Sequence, residues 1–384
     1  MPKDAALEAH AIAPRALRDL QKYYQKLPAE FISLSTQILD LRDIATGGSP
    51  GSGLRAVDCI SAETLNSLFS SFLGEEFDSI ELKDVIIYEH TALPGLRIVP
   101  SLLPISIQEV LLSRLLLRDL SNPDHQTNIH LHYNVPYPDS PKSFFDLPKS
   151  TTYPPKDPDV HKALNVVEVL EKKLRWMTLG GQYDWTAKEY PHGPPIQFPS
   201  DIRDLVHGIF PTIEPEAAIC NTYSPGDTLS PHRDVSEEAD KDLVSISIGC
   251  DALFLISLTP ESPVDDVPAQ PAITTSSQFT SHKQRKPNKK KGVPEPPPPP
   301  PPLDDHTLIV RIRSGDAVVM GGESRWAWHG VPKVIGDTCP EELARWPDVP
   351  TSEGPESGTD EPICWDGWMQ RKRVNLNIRQ MYEH

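Results

Sequence analysis

The sequence predicts an α+β chain, with an all-β sandwich or barrel in the C-terminal half and a helical, loop-rich extension before it. Three observations lead there. From about Leu174, short β-branched and aromatic runs follow one another with turn signals between them, as in a sandwich or barrel rather than a βαβ sheet. Before that point, apolar residues recur at helical spacing or are broken up by proline. Two long aperiodic stretches interrupt the β region, and each has strand-like segments on both flanks.

Taken in order, Ala5 to Gln25 reads as a helix, with Leu17, Leu20 and Tyr24 on one side among charges. Thr46 to Leu54 is a loop by its glycines and serines. Ile107 to Leu120 is a second helix, with Val110, Leu111, Leu115 and Leu116 together. Pro136 to Pro158 is punctuated by proline and reads as an irregular loop. Residues 1–160 are therefore expected as the extension and 161–384 as the β domain. Its expected strands are Leu174–Leu179, Ala217–Tyr223, Leu243–Ile248, Ala252–Leu258, Leu308–Ile312, Asp316–Met320 and Val374–Met381. In the third, Val244, Ile246 and Ile248 alternate with Ser245 and Ser247, the pattern of a half-buried strand. Residues 260–306 hold a basic cluster, Lys283 to Lys291, and a pure proline run, Pro296 to Pro302, which adopts polyproline II and joins no sheet. This stretch and residues 336–360 are expected as disordered insertions.

Composition narrows the function classes. Of 384 residues, 42 are proline, about twice the usual ~5% share, so part of the chain buries no core. No stretch approaches the ~20 apolar residues of a membrane-spanning helix, and no membrane partner is expected. The net charge of −17 does not advertise general affinity for phosphate backbones, although it leaves room for a local basic groove. The five cysteines form no C-x-x-C pair, which argues against a disulfide framework or zinc-thiolate site and fits a reducing compartment. Nucleus or cytoplasm is expected. Asp4 and Glu8 weaken a mitochondrial transit reading without closing it.

Three segments carry chemistry. In Asn221 to Asp234, NTYSPGDTLSPHRD, His232 and Asp234 are two apart, so an extended backbone points both to one side. Alone, His-x-Asp also suits a polar turn. A non-haem Fe(II) oxygenase needs two histidines and one carboxylate on one face, with positions left open. His329, just after the apolar run Ala317 to Met320 and within WAWHGV, supplies the third ligand type; a half-buried histidine in an aromatic patch is the plainer alternative. In Arg373 to Arg379, Arg373, Asn375, Asn377 and Arg379 alternate with Val374, Leu376 and Ile378. On a strand this gathers two guanidinium groups and two amides on one face, which suits either a solvated outer face or the recognition of a small dicarboxylate.

In this order, with Gly315-Asp316 ahead of His329, these segments resemble the AlkB family of iron- and 2-oxoglutarate-dependent dioxygenases. The resemblance runs from about Trp176 to Met381. Leu174 to Gly180, Tyr183-Asp184-Trp185 and Phe198 to Asp201 resemble the lid segment of its eukaryotic homolog-one branch, and Leu243 to Gly249 with Ala252 to Leu255 agree with that branch. The resemblance implies a double-stranded β-helix, or jelly roll, carrying a nucleotide-recognition lid. It implies Fe(II) on His232, Asp234 and His329. It implies 2-oxoglutarate contacts from Asn221, Tyr223, Arg373, Asn375 and Arg379, O2 as the second co-substrate, and Trp176 and Tyr183 against the target base. The activity implied is removal of an N-methyl group from methyladenine in RNA (tRNA or mRNA) or DNA, as formaldehyde, with succinate and CO2. Ser236 stands where bacterial members have a second acidic residue, so base recognition of the bacterial kind is not implied. Two other readings remain at this point: a 2-oxoglutarate-dependent hydroxylase of a protein or small molecule, and a non-catalytic RNA- or protein-binding scaffold whose proline run recruits an SH3- or WW-type partner. A monomer is expected.

Overall fold

The computed structural model describes residues 11–42, 53–77, 82–184, 190, 196–260, 297–347 and 364–383. In chain order the strands are β1 (Ile38–Asp40), β2 (Leu54–Ile60), β3 (Val85–His90), β4 (Leu96–Val99), β5 (Thr152–Tyr153), β6 (Leu164–Asn165), β7 (Trp176–Gly180), β8 (Ala217–Tyr223), β9 (Leu229–His232), β10 (Leu243–Gly249), β11 (Ala252–Ser257), β12 (Thr307–Ile312), β13 (Ala317–Met320), β14 (Trp328–Val334) and β15 (Arg373–Arg379). The longer helices are α1 (Arg15–Lys26), α2 (Ala62–Leu73), α3 (Ile105–Ser113) and α4 (Ser200–Ile209).

One sheet runs β2-β3-β4-β13-β10-β15-β8-β7 and a smaller one β1-β12-β11-β14-β9. Only β1, parallel to β12, departs from antiparallel pairing in them. All seven expected strands are present. The reading of residues 1–160 as helices and loops is corrected: β1 to β4 lie there and extend both sheets. β2 carries no alternation because five of its seven residues are exposed, and β4 is a four-residue run beside a turn. Neither length nor period marks such strands.

One face of the large sheet packs on helices and the other faces the small sheet. Val244, Ile246 and Ile248 of β10 and Val374, Leu376 and Ile378 of β15 pack with Leu65 and Phe69 of α2, Ile107 and Leu111 of α3, and Ile202 and Val206 of α4. The expectation of a half-buried β10 is therefore corrected. Helices cover its apolar face, its serines point between the two sheets, and Ser247 is 1% exposed. The space between the sheets is apolar where Leu96, Ile98, Val318 and Met320 meet Ile256 and Val310. It is polar where β8 and β15 face β9 and β14.

The helix expected from Ala5 to Gln25 begins at Arg15 among the described residues. Its stripe of Leu17, Leu20 and Tyr24 lies on Leu253, Leu255 and Trp328 of the small sheet. The two expected insertions fall partly among the described residues. Residues 261–296, with the basic cluster, and 348–363 lie outside the described residues. The prolines from 297 onward run past α1 and the start of β1, where Tyr23 Oη donates to the Pro298 carbonyl (3.0 Å) and Gln37 Nε2 to that of Pro301 (3.1 Å). Within 336–347, Leu343 and Trp346 are buried in the main core. Phe145 there meets Trp346, Trp365 and Trp368 edge-on at 5.3–5.4 Å.

Candidate metal and cofactor site

β9 and β14 are neighbours, and His232 and His329 are directly paired across them. Directly opposed residues share a face, so the two imidazoles stand side by side with ring centroids 4.4 Å apart. Asp234, two residues past His232, brings Oδ1 to 3.5 Å from His232 Nε2 and Oδ2 to 3.9 Å from His329 Nε2. One donor atom from each of the three lies within 4.8 Å of the others, a spacing that suits a single ion.

The backbone sets the tautomers. His232 Nδ1 lies 3.0 Å from the Ser230 carbonyl and His329 Nδ1 3.1 Å from that of Ala327. A carbonyl only accepts, so each Nδ1 carries the proton and each Nε2 keeps a lone pair for a metal. Burial, and then the neighbouring His232, push His329 down to about 4. It is neutral at pH 7, as a ligand must be. Burial opposes ionisation of Asp234, but Arg379, His232 and His329 together outweigh it and hold the carboxyl well below the usual range. Two imidazoles and one carboxylate form the facial set used by non-haem iron.

The polar face of β15 lies beside this cluster. Arg373 pairs with Tyr223 and Asn375 with Asn221 across the β15–β8 ladder. Arg373 is 3% exposed, and its Nε and Nη1 are buried with no hydrogen-bond partner among the described residues. Burial lowers its pKa. A buried guanidinium left in this state is costly unless a carboxylate arrives, so the pocket fits an anionic co-substrate. Asn221, Arg373, Asn375 and Arg379 line the cleft. Tyr223 is buried beside Arg373's strand, within a cluster of Cys250, Ala252 and Val331. The Asn375 amide is committed to β10, donating to Ser245 Oγ (2.8 Å) and the Ile246 carbonyl (3.1 Å).

Arg379 is engaged within the protein. Nη1 donates to Glu237 Oε1 (2.7 Å) and Nη2 to Asp234 Oδ2 (3.2 Å). Glu237, 0% exposed, is also bound by Arg325 Nη2 (2.8 Å). Arg325 Nη1 reaches the Asp234 carbonyl (2.8 Å). Sequence reasoning missed Glu237 and Arg325. The signal available was charge balance: two cleft arginines and one carboxylate ligand leave a cation to be neutralised, and Glu237 lies three residues past Asp234.

The two lid aromatics separate. Tyr183 lines the cleft, its hydroxyl 3.4 Å from Ser236 Oγ and its ring edge-on to Tyr190 at 5.1 Å. Trp176 is placed more deeply. It is opposite Asn221 on β7, 2% exposed, and does not line the cleft. Strand pairing buries it in the sandwich. Trp185 lies outside the described residues.

Residues 143–379 match the 2OG-Fe(II) oxygenase superfamily, and the chain belongs to it. It is accordingly a dioxygenase dependent on Fe(II), 2-oxoglutarate and O2. The chain is 41% identical to the N6-methyladenosine RNA demethylase ALKB1 of Pyricularia oryzae, covering 98% of each. It is 46% identical to the N6-methyladenosine RNA demethylase ALKBH of Cryphonectria parasitica, over 66% of this chain and 99% of that one. It is 33% identical to the tRNA demethylase abh1 of Schizosaccharomyces pombe, over 75% and 79%. Within the superfamily it falls in the AlkB family, near the homolog-one branch.

Proposed function

We propose that this protein removes the N-methyl group of N6-methyladenine in RNA by oxidation, on a jelly roll formed by β8 to β15. The observation that carries the chemistry is the pairing of His232, Asp234 and His329 with a buried, unsatisfied Arg373 in one cleft. The names of the relatives support the substrate. In this reading His232 and His329 hold iron through Nε2 and Asp234 through a carboxylate oxygen. Arg373 takes the distal carboxylate of 2-oxoglutarate, with Tyr223 and Asn221 beside it. Bound there, iron with 2-oxoglutarate and O2 supplies oxidation of a methyl C–H bond, with succinate and CO2 as co-products. The N-hydroxymethyl product loses formaldehyde and the ring nitrogen substituent regains its proton. Tyr183 offers the ring against which an unstacked base packs, and this requires a single-stranded or extruded nucleotide. Arg379 keeps the Asp234 carboxylate ionised and oriented, and Glu237 holds Arg379 in place.

The test is anaerobic Fe(II) loading, then aerobic turnover on matched RNA and DNA oligonucleotides carrying N6-methyladenine, with succinate and formaldehyde followed together. Both products on RNA, lost in His232→Ala, are expected. Formaldehyde from DNA alone would move the substrate, and succinate without formaldehyde on either would end the demethylase reading.

A further inference from the structure

The strands that bring His232 and His329 together are poorly tied by their own backbones. β9 is the edge strand of the small sheet, and its ladder with β14 has two paired positions with a register shift between them. Pro231 removes an N–H donor from β9 and Pro332 removes one from β14. The strands nevertheless run very close. A Cβ on Gly330 would stand 2.7 Å from the Leu229 carbonyl oxygen and 3.0 Å from Pro231 N. A donor from elsewhere satisfies the carbonyls there. Gln21, in α1, sends Nε2 to the Leu229 carbonyl of β9 (3.2 Å) and to the Val331 carbonyl of β14 (3.5 Å). Gln21 is 7% exposed, within the stripe of Leu17, Leu20 and Tyr24 that seats α1 on the sheet. Its Oε1 is buried without a hydrogen-bond partner among the described residues. Turning the amide over would set that oxygen against two carbonyls, so the donor orientation is fixed.

We propose that Gln21 is a positioning residue for the metal centre: its amide clamps the two histidine-bearing strands and sets the separation of His232 from His329. This rests on the reading of His232, Asp234 and His329 as Fe(II) ligands. The superfamily match begins at residue 143, so the clamp comes from a part of the chain outside it. A polar residue in the apolar stripe of an amphipathic helix needs a partner, and here the partners are the carbonyls of both ligand strands. Loss of a group that orients metal ligands typically lowers metal affinity 10- to 100-fold.

The test is anaerobic equilibrium dialysis against Fe(II) alone, with bound metal counted by mass spectrometry and folding followed by thermal melts. Gln21→Met keeps the length and apolar packing and removes the donor. Lys333→Met is the comparison: Lys333 Nζ donates to the Gln25 carbonyl (3.1 Å) and so ties α1 to β14. Gln21→Met is expected to bind Fe(II) roughly tenfold more weakly while still folding, and Lys333→Met to bind as wild type does. Equal affinity in Gln21→Met and wild type would overturn the clamp, as would equal losses in both variants, which would reduce α1 to a general support. Fe(II) binding by wild type that His232→Ala leaves intact would instead overturn the ligand assignment, and the clamp with it.

Discussion

Replacing Arg373 by methionine should move stability and co-substrate binding in opposite directions. Arg373 is 3% exposed, and its Nε and Nη1 have no hydrogen-bond partner among the described residues. Each unsatisfied buried polar group costs about 1–3 kcal/mol. Methionine fills much of the same space without a charge, so the ligand-free melting temperature should hold or rise by a few degrees, at about 2–4 °C per kcal/mol for a domain of this order. For 2-oxoglutarate the sign reverses. Removing one partner of a buried, hydrogen-bonded ion pair costs about 3–5 kcal/mol, and each ~1.4 kcal/mol is tenfold in affinity. The KM for 2-oxoglutarate should rise by at least about 10²-fold. Arg373→Lys, which keeps the charge without the two-pronged fork, should fall between. Thermal melts with and without 2-oxoglutarate, with succinate formation against 2-oxoglutarate concentration, read both effects. A Met variant several degrees less stable, with an unchanged KM, would show that Arg373 serves the fold.

Glu237→Gln removes the one carboxylate shared by Arg325 and Arg379. It should destabilise the protein by about 3–5 kcal/mol in urea unfolding, whereas Glu63→Gln in the first turn of α2 should change little. His329 sits at about 4 in the fold against 6.5 as a free group. The unfolded chain therefore binds more protons between those values, and stability of the metal-free protein should fall as pH drops from about 6.5 towards 4. His329→Leu should flatten that slope in denaturant titrations. Tyr183→Ala should lower turnover on a methylated oligonucleotide while leaving Fe(II) and 2-oxoglutarate binding intact. Trp176→Ala, a buried truncation, should cost about 3–5 kcal/mol of stability and show no selective loss of oligonucleotide turnover.

The strands that build the cleft were legible because their two faces differ in kind. Arg373, Asn375, Asn377 and Arg379 alternate with Val374, Leu376 and Ile378, and the structure puts the apolar set on the helices and the polar set in the cleft. The candidate metal ligands were legible because His-x-Asp on an extended segment turns both side chains to one side, and the later histidine supplies what that pair lacks. Strands β1 to β4 were not legible. Short, exposed or edge segments carry no period, and only their pairing with β12 and β13 makes them strands. The depth of Trp176 was not legible for a related reason. A sequence shows an aromatic near a site but not the depth at which strand pairing buries it, and β7 is paired to β8 along its length.

The engagement of Arg379 has a consequence for how the site assembles. Its guanidinium touches Asp234 Oδ2, and Asn377 Nδ2 donates to the same oxygen (3.2 Å). Oδ1 faces His232. Two donors on one carboxylate oxygen leave the other as the better electron-pair donor toward a metal, so in the proposed function the polar face of β15 would shape the iron ligand as well as the pocket for 2-oxoglutarate. Glu237 then carries the charge that Asp234 alone does not balance, and Arg325 joins Glu237 to the Asp234 backbone. The alternation of a single strand thereby couples metal ligation to the co-substrate pocket through groups too buried to rearrange without cost.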